Sequence, residues 1–161
     1  MTQKVMMVCL GNICRSPMAA AVLDNKARLA GLNLEVTSSG TASWHVGDGP
    51  NEMSHRVWSD AGYEYEHTAQ HFTPEMFEEY DLILVMDQSN YSDVVAQAEH
   101  VEHIAKVGFL RSFDPSLQDI DHQGPNGDRL IVPDPWSMPR SEFEAVLDMI
   151  EKSVDGLLLT L

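Results

Sequence analysis

Both cysteines of this chain fall in one short segment, CLGNICRSP, running from Cys9 to Pro17. Arg15 follows Cys9 by six positions, with Gly11 and Asn12 between them. A turn of this composition, set between an apolar run and the start of a helix, is suited to cradle an anion. Successive backbone N–H groups can point inward, and the helix N-terminus adds partial positive charge. Gly11 permits close backbone approach, and Asn12 tolerates a left-handed conformation. The planar fork of Arg15 matches two oxygens of a phosphate. Cys9, at the base of the turn, lies in the same positive field, which favours the nucleophilic thiolate. Ser16 is placed to donate a hydrogen bond to that sulfur. Phosphoryl transfer through a cysteine also needs an acid, which protonates the leaving oxygen and later takes a proton from water. Asp134, in VPDPWSMP between two stiffening prolines, is the candidate. An ordinary Asp-Pro turn, the reading given to Asp114 in FDPS, is the competing account, and spacing alone does not decide.

The elements that must position these groups are legible in outline. KVMMVCL (Lys4 to Leu10) is a continuous apolar run, as in a strand buried on both faces. Arg15 to Gly31 reads as a helix with Ser16 as N-cap, Pro17 at the first helical position and Gly31 as its end. LEVTSSG (Leu34 to Gly40) is a second strand, followed by a turn-rich loop, TASWHVGDGPN. Glu52 to Gly62 is a helix. TPEMFEEY opens another at Thr73 and Pro74. Asp81 to Asp87 is a third strand, whose terminal Asp87 caps the next helix. Ser89 to Glu102 is helical, and His103 to Phe109 is a fourth strand. Residues 111–140 form a long Pro- and Asp-rich loop, and such loops are usually functional or disordered. Ser141 to Leu161 closes the chain as an amphipathic helix. Alternating strands and helices predict a three-layer α/β fold, a parallel sheet with helices on both faces. In it the ligand sits beyond the carboxyl ends of the strands, where Cys9 and Asp87 both fall.

Composition narrows the possible partners. The 161 residues and 43% hydrophobic content fit a single domain, 1–161, with a real core. The net charge is −15, and from Asp48 to His103 thirteen carboxylates face a single base, Arg56. A surface of that sign repels nucleic-acid phosphates, so no nucleic-acid partner is expected. An anionic substrate therefore needs a strong local positive site. No apolar run is long enough for a membrane span and no export signal opens the chain, so a cytoplasmic setting with reduced thiols is expected. Two cysteines five apart cannot complete a zinc site.

On these motifs the chain resembles the low-molecular-weight protein tyrosine phosphatases. VCLGNICRSP is similar to that family's signature, and DPW to its late acid loop. SSGTASWHVG is similar to its second strand and substrate-wall loop, and DLILVMDQSNYSDV to its third strand and following helix. The resemblance spans nearly the whole chain. It implies a four-stranded parallel sheet with the phosphate loop between strand 1 and helix 1. It also implies hydrolysis of phosphotyrosine and aryl phosphates through a cysteinyl-phosphate intermediate, without metal or cofactor. By matching positions, Cys9 is the nucleophile, Arg15 the clamp on phosphate and transition state, and Asp134 the general acid. Leu10, Gly11, Asn12, Ile13, Cys14 and Ser16 complete the substrate-binding loop, with Ser16 also stabilising the thiolate. Ser38 and His67 hold Asn12 left-handed. Trp44 and Trp136 are aromatic walls for the substrate ring. Cys14 stands where the family has a second loop cysteine, whose reversible disulfide with Cys9 protects the nucleophile. The implied partner is a phosphotyrosine-containing protein, with a bacterial tyrosine kinase of a polysaccharide export system as one candidate. The implied state is a monomer or weak dimer.

The chain departs from the family pattern at a few places. Trp136 stands where tyrosine is common, and Ser137 follows it, so the paired tyrosines of some animal members are missing. Gln70 replaces a frequent arginine, and Asn51 and Met53 a frequent acid and base. Three other activities compete. Thiol-linked arsenate reduction needs a cysteine outside the cradle, and the chain has none. Phosphoarginine hydrolysis goes with a threonine where this chain has Ile13, and a bulky apolar residue there favours a flat aromatic leaving group. A non-catalytic phosphotyrosine-binding module would lack Cys9 or Asp134, and both are present.

Overall fold

The computed structural model describes residues 2–161. Strands β1 (Gln3–Cys9), β2 (Leu34–Gly40), β3 (Leu82–Val85) and β4 (Val107–Phe109) form a parallel sheet in the order β2-β1-β3-β4. The unbroken apolar run of β1 follows from burial on both sides. Val5, Met7 and Cys9 enter one core cluster, while Met6 and Val8 enter the other.

Helices α1 (Arg15–Leu29), α2 (Glu52–Asp60) and α6 (Arg140–Leu158) cover the first face. In α6 the inward set Phe143, Val146, Leu147, Ile150, Val154 and Leu157 keeps a helical period. Helix α1 is buried nearly all round at Met18 to Leu23, which its run of alanines permits by keeping the cross-section small. The other face is covered by α3 (Met76–Glu79), α4 (Gln88–Val95) and α5 (Val101–Ala105), with Phe77 and Val94 in its core. The three-layer α/β arrangement is thus the one expected.

Several boundaries differ from the sequence reading. Helix α1 begins at Arg15, so Ser16 and Pro17 lie inside its first turn; Cys14 is the cap residue and makes no side-chain cap bond. Ser16 is drawn away from capping because its hydroxyl is used elsewhere. The helix expected over Ser89 to Glu102 splits into α4 and α5, and the strand expected from His103 starts only at Val107. His103 instead stacks on Phe77, with centroids 4.7 Å apart. The helix expected to open at Thr73 and Pro74 starts at Met76. The long loop contains three short 3₁₀ turns, at Leu110–Phe113, Pro115–Leu117 and Gly127–Leu130. Asp114 caps the second of them, accepting from the Ser116 N–H at 2.9 Å.

Strand order determines where a ligand can sit. The chain leaves β1 for β2 on one side and later returns to β3 on the other. The crevice beyond the carboxyl ends of β1 and β3 is therefore the switch point of the sheet. Gly40, at the end of β2, closes in on that crevice. A Cβ there would lie 2.7 Å from the Leu10 carbonyl oxygen and 3.1 Å from the Asn12 nitrogen. Among the described residues no helix is long and apolar enough to cross a membrane.

Candidate active site

The turn from Leu10 to Cys14 is shaped by what holds its carbonyls. Leu10 C=O accepts from Ala42 N–H at 2.9 Å and Ile13 C=O from Asn51 N–H at 2.9 Å. Asn12 C=O is 2.6 Å from His67 Nε2, and Cys14 C=O accepts from the Ser54 hydroxyl at 2.8 Å. In a trans peptide the N–H points opposite to the C=O. Carbonyls tied to the surrounding loops and to α2 therefore turn the amides of Gly11, Ile13, Cys14 and Arg15 the other way. Among the described residues, none of the N–H groups of Gly11, Asn12, Ile13 and Cys14 donates to another backbone carbonyl. Free amides at the mouth of a helix make a site for an anion.

Asn12 is the fulcrum of the turn. It has φ of 58° and is fully buried. Its Nδ2 donates to the Ser16 hydroxyl at 2.8 Å and the Ser38 hydroxyl at 2.9 Å, and its Oδ1 accepts from Gln70 N–H at 2.9 Å. Every side-chain hydrogen of Asn12 is used, which offsets the cost of its left-handed backbone. Because the Asn12 carbonyl can only accept, His67 Nε2 carries the proton. His67 Nδ1 then accepts from the Ser38 hydroxyl at 3.5 Å. Burial lowers the His67 pKa below the ordinary 6.5, against the opposing hydrogen bond to Asn12, which keeps the ring neutral. Ser16, whose oxygen accepts from Asn12, has one proton to give, with Cys9 Sγ 2.9 Å away and the Ser39 carbonyl more distant at 3.5 Å.

Arg15 is 3% exposed and is steered from two sides. Its Nη1 donates to Asp87 Oδ2 at 2.7 Å and to the Val132 carbonyl at 3.0 Å. Asp87 also caps α4, accepting from Asn90 N–H at 2.8 Å, so its role is wider than the capping expected of it. Burial acts to lower the Arg15 pKa, but the charge on Cys9, the bond to Asp87 and the charges of Asp87 and Asp134 outweigh it and raise the pKa overall. Val132 in turn gives its N–H to Met86 C=O at 2.7 Å, so the late loop is pinned to the end of β3. Two residues on, Asp134 Oδ2 lies 3.9 Å from Arg15 Nη2, and Asp134 Oδ1 accepts from Trp136 N–H at 3.1 Å.

These segments enclose a cavity of about 290 Å³, lined by Cys9, Leu10, Gly11, Ile13, Cys14, Arg15, Trp44, His45, Asp134 and Trp136. Trp44 and Trp136 stand at its mouth, 73% and 61% exposed. Asn12 and Ser16 are not on its wall. They sit behind it, fully buried, as do the supporting Ser38 and the partly buried His67. Both thiols are free. Burial pushes the Cys14 thiol up to about 12, with the charges of Cys9 and Asp134 adding to the effect, so Cys14 is neutral at ordinary pH.

The model of the low molecular weight phosphotyrosine protein phosphatases matches residues 4–161. This chain belongs to that family. A low molecular weight protein-tyrosine-phosphatase of Streptomyces coelicolor is 39% identical over 98% of this chain and 93% of its own length. The low molecular weight phosphotyrosine protein phosphatase of Sus scrofa is 36% identical over 90% and 87%. Among solved structures, a protein tyrosine phosphatase of Entamoeba histolytica, with Hepes in its active site, superposes with a TM-score of 0.86. It is 27% identical and covers 98% of this chain and 96% of its own. Like those relatives, this phosphatase is a hydrolase.

Four features of the phosphatase site lay outside the sequence reading. The carbonyl tethers from Ala42 and Asn51 are backbone bonds, which residue type does not encode, and Ser54 adds its hydroxyl from a helix distant in sequence. His45 lines the cavity beside Trp44, and a histidine next to a proposed wall residue was a usable signal. Val132 acts on the site through its backbone N–H and carbonyl, while its side chain is buried in the core. Asp87 was placed at the correct edge, but its second bond to Arg15 depends on β1 and β3 being neighbours.

Proposed function

We propose that this phosphatase hydrolyses phosphotyrosine through a phosphocysteine formed on Cys9. The observation that carries the reading is that Cys9 and Arg15, from one turn, and Asp134, from the distant late loop, line one cavity with free amides at its base. The phosphate sits on the amides of the turn and the Arg15 guanidinium. Cys9 Sγ attacks phosphorus in line with the phenolic oxygen, and Asp134, protonated, gives its proton to that oxygen as the P–O bond breaks. The phenol leaves between Trp44 and Trp136. A water then attacks phosphorus and loses its proton to Asp134, and the thiolate departs with the hydrogen bond of the Ser16 hydroxyl. Charge that spreads onto the equatorial oxygens in both steps meets groups already oriented for it.

Side chains of the wall support an aromatic ester over a smaller one. Ile13, Trp44 and Trp136 give the cavity apolar sides, two of them aromatic, which suit a ring carried on the phosphate. The reading includes a reducing, cytoplasmic compartment, which keeps Cys9 available, and a phosphotyrosine-bearing protein such as a tyrosine kinase as partner. Aryl phosphate hydrolysis tests it. Wild-type protein should release the phenol at mildly acidic pH, Cys9→Ser should abolish release, and that variant should still bind inorganic phosphate. Turnover retained by Cys9→Ser would overturn the assignment of the nucleophile.

A further inference from the structure

One fixed cation lines the cavity. Arg15 is the only Lys or Arg among the lining residues, and it is buried. The two wall segments expose apolar side chains, Trp44, Val46, Trp136 and Met138, and acidic ones. Chief among the acidic ones is Asp48, whose side chain is 63% exposed. Asp48 is held firmly in place. Its N–H donates to His45 C=O at 2.8 Å, its C=O accepts from Ala69 N–H at 2.8 Å, and its Oδ2 is 3.2 Å from His45 Nδ1. His45 lies against the cradle, its Cδ2 being 3.3 Å from where a Gly11 Cβ would stand. On the same side, the Asn51–Ile13 bond sets the first turn of α2, with exposed Glu52, beside the turn.

We propose that the preferred substrate is a phosphotyrosine segment flanked by Lys or Arg, and that Asp48 is the residue that reads the flanking charge. The inference rests on the phosphotyrosine reading above. The phosphate dianion is compensated locally by Arg15 and the amides. Residues on either side of the phosphotyrosine reach past Trp44 and Trp136 and meet only the rim and the field of a chain carrying −15. Basic side chains gain there, while acidic ones meet Asp48, Glu52 and the long-range repulsion. Selection of this kind works as much by rejecting the wrong charge as by attracting the right one. A carboxylate already tethered through His45 loses little freedom when it takes a Lys or Arg partner. Because the pair is exposed, salt weakens it.

The test compares kcat/KM for phosphotyrosine peptides of one length whose flanking residues are Lys, Gln or Glu. Hydrolysis of an aryl phosphate by the same preparations serves as the reference rate. The pH is the same for every peptide and variant. At low ionic strength the Lys peptide should exceed the Glu peptide by on the order of tenfold, and the gap should close as salt is added. Asp48→Asn should narrow the gap more than Glu52→Gln, a change on the same rim that leaves the His45 tether intact. Equal rates for Lys and Glu peptides, or a preference for Glu, would overturn the charge selection alone. A gap unchanged by Asp48→Asn would overturn the assignment to that residue. Hydrolysis of the aryl phosphate with none of the peptides would overturn the phosphotyrosine reading, and this inference with it.

Discussion

Asp87 holds the Arg15 guanidinium from behind, its Oδ2 2.7 Å from Arg15 Nη1, so that Nη2 is left toward the cavity and Asp134. The pair joins the end of β3 to the first residue of α1, and Asp87 also caps α4. Asp87→Asn retains a capping oxygen but removes the charge facing Arg15. We expect kcat/KM for aryl phosphates to fall on the order of 10²-fold while the melting temperature changes little. Asp87→Ala loses the cap as well and should cost about 1 kcal/mol more in stability. Full activity in Asp87→Asn would show that Arg15 needs no support from behind.

Asp134→Ala should slow esters with poor leaving groups far more than those with good ones, because a good leaving group needs no proton. A plot of rate against leaving-group pKa should steepen in the variant. Equal losses across the series would argue that Asp134 is not the acid. Its position is set by Val132, bonded at both its N–H and its carbonyl, so the contrast should survive any change that leaves that anchor in place.

Gly40→Ala places a Cβ 2.7 Å from Leu10 C=O, the carbonyl whose orientation helps to turn the Gly11 amide inward. We expect a loss of about 1–3 kcal/mol in stability together with weakened protection by inorganic phosphate against thermal unfolding. A variant that is less stable yet equally protected by phosphate would separate the cradle from β2.

His67 should leave a signature in the pH dependence of stability. Burial lowers its pKa in the folded state below the unfolded 6.5. Between the two values the unfolded chain binds more protons, so stability rises with pH across that window. Its contribution is complete above 6.5 and is lost as pH falls through the folded value. Protonation at Nδ1 would also remove the acceptor of the Ser38 hydroxyl and loosen Asn12. Denaturant unfolding measured across this range should show a slope that His67→Gln abolishes; an unchanged slope would place the titration elsewhere.

Cys14 gives a chemical check on the same turn. With its thiol pushed up to about 12, it should resist alkylation at neutral pH in the folded protein, as peptide mapping would show. Modification of Cys14 ahead of Cys9 would contradict the burial seen here.

The residue types of the cradle were legible without a structure, because a cysteine, an arginine and a helix start within nine residues are a local arrangement. The same holds for β1 and β2, whose buried runs are short-range patterns, and for the parallel α/β class. Strand β4 started late because His103, held in α5, is drawn onto Phe77, a contact between residues far apart in sequence. Ser16 was misread as a cap because its competing partners, Cys9 and Asn12, lie within the same turn and only its folding brings them into reach. What the sequence determined by itself was the chemistry available: a thiol, a guanidinium, a carboxyl group and a turn able to hold an anion. Tertiary structure decided their alignment. The strand order brings Asp87 behind Arg15, the carbonyl tethers turn the amides inward, and Val132 carries Asp134 to the cavity. Each of these depends on hydrogen bonds to backbone groups of distant segments, and a backbone group, which every residue offers, leaves no mark in the residue pattern.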